Sequence, residues 1–274
     1  MKFTLSLVCG LGLIYALLIL VLYAGQRRFL YFPPSDYLSP KAVEVVMEEI
    51  DMSWGEGLSL RAWWSPSQKG QAVIMFFHGN ASAVYSHHDI YKDLTAAGFG
   101  VWAAAYPGYP GSEGTAKQSA IMMATKHQYA YILENIPKTT PVYFYGTSLG
   151  SGVAAQLART HPPHGLIAEA PFASILNMGR RQLPFVPHQI LMKDQWRSDQ
   201  ALEDMAASGK NIPLLWLHGT EDKVVPLDEG ERLFLAYAGP KQSYIIKGGA
   251  HTNLWGLGGR EAIIEFINAT TRPQ

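Results

Sequence analysis

The sequence predicts an α/β fold, a mostly parallel sheet covered by helices on both faces and preceded by one membrane-spanning helix. Three observations carry this. Short continuous apolar runs, such as residues 72–77, alternate with stretches of helical length, as in βα units around a sheet buried on both sides. Residues 3–26 form an uncharged apolar run, and a bilayer needs about 20 such residues. The remaining chain is long enough for one large domain with a sizeable core.

The elements follow in order. Residues 3–26, between Lys2 and Arg27, read as a transmembrane anchor, with Tyr23 where an interfacial aromatic belongs. The rival reading is a cleaved signal peptide, but such peptides have apolar cores of about 7–15 residues and a small-x-small cleavage site. This run is longer, and Leu22-Tyr23-Ala24 lacks the small residue upstream. Cys9 follows Ser6-Leu7-Val8, the wrong context for lipid attachment, and reads as a small apolar residue of the helix. As the sole cysteine it excludes an intrachain disulfide and a cysteine-rich metal site. Lys2 on one side and Arg27, Arg28 and Lys41 on the other nearly balance. The short lysine-bearing tail ahead of the anchor favours an extracytoplasmic domain.

Residues 27–41 read as a linker stiffened by Pro33 and Pro34, lying on the lipid interface or on the domain. Residues 42–274 form the domain. Residues 42–50 and 58–64 predict an antiparallel opening hairpin, turning at Trp54-Gly55-Glu56-Gly57. Then come a strand at 72–77, a helix at 82–97 stopped by Gly98, a strand at 99–105 and a glycine- and proline-rich loop through Gly114. A helix at 115–135, a strand at 142–145, a helix at 149–160 and a strand at 166–170 follow. Residues 172–211 contain no strand and are rich in Met, Phe, Leu and Trp, which predicts a short helical cap over the strand ends. The chain closes with strands at 213–217 and 243–246 and helices at 227–238 and 260–269.

In such sheets ligands sit beyond the carboxyl ends of the strands, so the chemistry should lie just after them. Gly146-Thr147-Ser148-Leu149-Gly150 fits G-x-S-x-G between a strand and a helix. The turn is so tight that flanking Cβ atoms would collide, which accounts for both glycines. It lifts the Ser148 hydroxyl above the sheet, where the next helix aims its first amides. A serine nucleophile needs a base. Of nine histidines, only His251 follows the last strand, in Gly248-Gly249-Ala250-His251. The base needs a carboxylate to orient it. Asp222 lies after residues 213–217, in His218-Gly219-Thr220-Glu221-Asp222. Its neighbour Glu221 points the other way, and Glu169 is the weaker stand-in. An oxyanion needs two aimed N–H groups. Leu149 supplies one. The loop His78-Gly79-Asn80-Ala81 supplies the other, from Asn80 ahead of Ala81, with His78 bracing that loop.

At these residues the chain resembles the α/β-hydrolase superfamily, most of all membrane-anchored, serine-aminopeptidase-like hydrolases with a short cap. The resemblance runs over roughly residues 43–266. It rests on Phe77-His78-Gly79-Asn80-Ala81, Tyr145 to Gly150, Ala170-Pro171-Phe172, His218 to Asp222 with Val225-Pro226, and Gly249-Ala250-His251. It implies an α/β-hydrolase fold with Ser148 as nucleophile, His251 as base, Asp222 as orienter, and Asn80 and Leu149 as oxyanion donors. One segment departs. Relatives often read Asp-Tyr-Arg-Gly-Tyr-Gly, whereas this chain reads Ala105-Tyr106-Pro107-Gly108-Tyr109-Pro110 and lacks the charged bracing pair.

The reading is a membrane-anchored serine hydrolase that cleaves acyl esters or thioesters, with lipid-like substrates in view and no metal or organic cofactor required. The partners expected are a small acyl substrate and the membrane. Acids and bases balance at 22 each, which excludes a nucleic-acid partner. Two alternatives stand. A serine aminopeptidase would need an acid for the substrate amine, from Asp194, Asp199, Glu203 or Asp204. A membrane scaffold would keep the fold without catalysis.

Overall fold

The computed structural model describes residues 2–55 and 57–271. Among the described residues, eight strands form one sheet in the order β1-β2-β4-β3-β5-β6-β7-β8. They are β1 (Glu48–Trp54), β2 (Leu58–Ser65), β3 (Val73–Phe77), β4 (Gly100–Ala104), β5 (Val142–Thr147), β6 (Gly165–Glu169), β7 (Leu214–Gly219) and β8 (Lys241–Ile246). β2 runs antiparallel to β1, as the hairpin reading expects, and also to β4, while the neighbours along β4-β3-β5-β6-β7-β8 pair in parallel. β3, β4, β5, β6 and β7 are buried at every residue, which explains their unbroken apolar runs. The edge strands β1 and β8 stay largely open to solvent, and β8 carries Lys241 as an edge strand should.

The helices are α1 (Lys2–Leu30), α2 (His88–Ala96), α3 (Gln118–Asn135), α4 (Leu149–Thr160), α5 (Ile175–Gln182), α6 (His188–Leu191), α7 (Ser198–Ala207), α8 (Leu227–Ala236) and α9 (Gly259–Thr271). Several boundaries differ from expectation. Residues 42–50 do not open as one strand. Pro40–Val43 is a 3-10 turn capped by Ser39, and Glu44 is left-handed at φ 56°, so pairing starts only at Glu48. The helix expected at 82–97 opens as a 3-10 turn, Val84–His87, before α2.

The cap is also shorter than residues 172–211. An isolated antiparallel bridge between Ser174 and Arg197 closes its base. Beyond that bridge, α7 leaves the strand ends and lies along α4, where Arg159 meets Asp204 at 3.2 Å and Gln156 donates to the Arg197 carbonyl at 2.7 Å. The apolar residues Ala201, Leu202 and Met205 are therefore core, which composition alone could not separate from cap.

α1 is long and apolar enough to cross a membrane over Phe3–Leu30. Its last turn includes Arg27–Leu30, which the sequence assigned to the linker. Those residues stay helical because the cap gives them partners. Arg27 bonds Asp194 at 2.9 Å. Gln26 donates to the Leu191 carbonyl and accepts from the Lys193 amide. Tyr31 is buried and bridges Asp194 and Trp196. The stretch after α1 thus lies on the domain.

Candidate active site

The turn from β5 into α4 holds Ser148 at φ 51°, ψ −117°. That left-handed backbone is costly for a residue with a side chain and persists only where packing over-determines it. Here it does. A Cβ on Gly146 would collide with the Gly150 backbone, and one on Gly150 with the Phe77 carbonyl of β3. Both glycines are thus required by close approach of β5, α4 and β3. The Ser148 amide is tied to the Glu169 carbonyl of β6 at 2.9 Å.

Past β8, His251 sits in a loop pinned to the Asp222 loop, with the Glu221 amide bonded to the Gly249 carbonyl at 2.8 Å. His251 donates from Nδ1 to Asp222 Oδ2 at 2.7 Å, which leaves its Nε2 as the free ring nitrogen. Asp222 Oδ1 accepts from the Val224 and Val225 amides at 2.8 and 2.9 Å. His218 approaches Oδ2 at 3.4 Å and also bonds the Val225 carbonyl, while its Nδ1 accepts from Trp216. Burial by itself would raise the Asp222 pKa. Hydrogen bonds from His218, His251 and the Val225 amide outweigh it and hold the carboxyl well below its ordinary range. Asp222 is therefore a charged, fixed acceptor.

Asn80 and Leu149 line the same cavity as Ser148 and His251. A Cβ on Gly79 would lie 3.6 Å from the Ser148 Cβ, so the Gly79-Asn80 turn packs directly on the serine. The missing charged pair is replaced by tyrosines. Tyr109 donates to the Asn80 carbonyl at 2.9 Å and reaches Asn80 Oδ1 at 3.1 Å, and Tyr106 donates to the His78 carbonyl at 3.1 Å. The His78 ring packs on both, 4.1 Å from Tyr106 and 5.0 Å from Tyr109. Its Nδ1 bonds the Gly79 carbonyl, the bracing role expected of it. Burial lowers its pKa to about 4, so this histidine is neutral.

Glu169, the stand-in carboxylate, is taken by the Tyr145 hydroxyl, and burial raises its pKa. The acids nominated for an amine are also engaged in part. Asp194 pairs with Arg27, Asp199 with Arg197 and Asp204 with Arg159. The structure thus joins Asp222 to His251 directly and places Ser148, Asn80 and Leu149 around the same space.

Sequence reasoning missed α1 as a wall. The cavity, about 1010 Å³, is lined by Ile19, Leu22, Phe29 and Leu30 of α1 as well as by Met178, Leu183 and Leu191 of the cap. Its volume sits at the upper end of the roughly 300–1,000 Å³ usual for small-molecule sites. One signal was available. Ile19, Leu22, Tyr23, Gln26 and Leu30 recur on one helix face, and that face carries Gln26 where lipid would favour an apolar residue. The Phe32 amide then donates to Asn80 Oδ1 at 3.2 Å, linking the stretch after α1 to the loop beside Ser148.

Three kinds of likeness accompany this geometry. The family model for serine aminopeptidase, S33, matches residues 68–193. An uncharacterised protein of Mycobacterium tuberculosis is 26% identical over 273 residues, spanning 97% of this chain and 95% of that one. Lysophosphatidylserine lipase ABHD12 of Danio rerio is 32% identical over 199 residues, spanning 66% of this chain and 52% of the lipase. Among solved structures, an esterase of Pyrococcus furiosus superposes with a TM-score of 0.66 at 16% identity, covering 89% of this chain and 98% of the esterase, a likeness of fold.

Proposed function

Because the chain belongs to the α/β-hydrolase superfamily, we propose that it is a membrane-anchored serine hydrolase that cleaves acyl esters of lipid-like substrates through an acyl-enzyme. One observation carries the reading. His251 is held by a charged, fully bonded Asp222 on the cavity that also receives the strained Ser148.

His251 Nε2 takes the Ser148 proton as Oγ bonds to the carbonyl carbon. Asp222 stabilises the imidazolium and fixes its tautomer. The amides of Asn80 and Leu149 receive the tetrahedral oxyanion. The C–O bond to the leaving alcohol breaks as His251 returns the proton to it. Water then attacks the acyl-serine with His251 again as base, and the acid leaves as Ser148 regains its proton.

An ester fits better than an amine-bearing peptide. Asp194 is the nominated acid that lines the cavity, and Arg27 and Tyr31 already occupy it. The lipase name of one relative and the apolar lining favour an acyl chain as the bound part.

A fluorophosphonate probe tests the reading and separates it from a non-catalytic scaffold. The full chain is expected to be labelled and to turn over p-nitrophenyl esters, and Ser148→Ala to lose both while melting normally. Labelling that survives in Ser148→Ala would falsify the mechanism.

A further inference from the structure

We propose that α1 and the cap together form an acyl channel opening sideways into the bilayer, so that a single acyl chain of a membrane lipid reaches Ser148 without passing through water. This rests on the reading of the chain as an anchored ester hydrolase and adds the route and the bound part of the substrate.

Depth is the first observation. The last turn of α1 carries Arg27 and Arg28, cations suited to the water boundary. Tyr15 lies twelve residues before Arg27, about 18 Å along the helix at about 1.5 Å per residue. The hydrocarbon core is about 30 Å thick. Tyr15 donates to the Phe185 carbonyl of the cap at 2.8 Å. The cap tip therefore reaches as deep as the middle of the helix, inside the hydrocarbon.

The tip is built for that depth. Ile190 is 85% exposed and Phe185 53% exposed, an apolar presentation that water disfavours and lipid accepts. Irregular backbone in hydrocarbon needs its polar groups satisfied. The Phe185 carbonyl has Tyr15, and the Leu183 carbonyl has both the His188 ring and the Val186 amide.

Continuity is the third observation. Ile19 and Leu22 of α1 and Met178 and Leu191 of the cap line the same cavity as Ser148. The occupant is therefore an acyl chain, with its carbonyl at Ser148 and its tail between α1 and the cap. The cap's exposed apolar tip and the membrane-depth helix are two sides of one entrance.

The test uses the full chain in phosphatidylcholine vesicles with p-nitrophenyl acetate, octanoate and palmitate. Each buried methylene is worth about fourfold in kcat/KM while the channel fills. Leu22→Trp, which blocks the channel from α1, should lower the palmitate-to-acetate ratio by about tenfold. Met178→Trp does the same from the cap side and serves if the α1 variant fails to insert. Leu20→Trp lies outside the cavity lining and should leave the ratio unchanged. Ile190→Asp, which puts a charge at the tip, should lower palmitate turnover in vesicles but not in detergent micelles. Ratios unchanged in both blocking variants overturn the channel, and equal effects of Ile190→Asp in vesicles and micelles overturn the lateral entrance. Short-chain fluorophosphonate labelling, run alongside, separates these failures from failure of the hydrolase reading, since that would remove labelling from the unmodified chain.

Discussion

Asp222 accepts from two histidines and two backbone amides, while Glu221 beside it is exposed. The consequence is a sharp asymmetry between adjacent acids. Asp222→Asn keeps the shape but removes the charge that stabilises the imidazolium and fixes the tautomer. Turnover of p-nitrophenyl acetate should fall by about four orders of magnitude. Glu221→Gln changes a solvated side chain, so its kcat should stay within about twofold of the parent. Steady-state kinetics on the two variants decide it, and a reversed order would mean that the wrong carboxylate orients the base. The choice of Asp222 was legible because neighbouring loop side chains diverge and one must face inward. The second histidine on that carboxylate was not. His218 sits four residues away across a loop, and only the folded path of Gly219 to Val225 brings its ring back to Asp222.

At the scale of elements, the β3–α2 loop is held by rings instead of charges. His78 packs on Tyr106 and Tyr109, its Nε2 is buried with no hydrogen-bond partner among the described residues, and burial lowers its pKa to about 4 from 6.5. The folded form therefore refuses a proton that the unfolded chain accepts. Between about pH 6.5 and 4 the unfolded state binds more protons, so stability is full above that window and drains away as pH falls through it. His78 alone contributes a slope of up to about 1.4 kcal/mol per pH unit. Thermal melts from pH 7 to pH 5 should show a falling midpoint, and His78→Gln should flatten the fall. An unchanged slope would assign the titration to another group. The central strands and the β5–α4 turn were legible because their signals are local: unbroken apolar runs, and glycines two residues either side of Ser148. The tyrosine brace was not. Its partners lie 28 and 29 residues apart in sequence, and the segment differs from the motif that usually announces the loop. The end of the cap was missed for a related reason. An amphipathic helix looks alike whether its apolar face meets a cap or α4.

For the whole molecule, α1, the proposed anchor, lines the same cavity as Ser148, which changes what its removal should do. Ile19, Leu22, Tyr23 and Gln26 line the cavity, and Tyr15 bonds the cap tip. A chain beginning at Arg27 keeps the sheet, whose core does not draw on α1 before Leu30, and keeps Asp222, His251 and Ser148. It should therefore fold and hydrolyse p-nitrophenyl acetate. It loses one wall of the channel and exposes the cap's inner apolar face, so its palmitate-to-acetate ratio should drop by about tenfold or more, and it should self-associate in light scattering. The full chain should stay in the membrane fraction through high salt and alkaline carbonate with its first residues attached, because Phe3–Leu30 is long and apolar enough to span. Cleavage near Gly25 would strip Ile19, Leu22 and Tyr23 from the cavity, so a signal peptide and a channel wall exclude one another in the mature protein. N-terminal sequencing of the membrane-extracted chain discriminates. A mature terminus near Gly25 on a soluble, fully palmitate-active protein would remove both the anchor and the wall from the account.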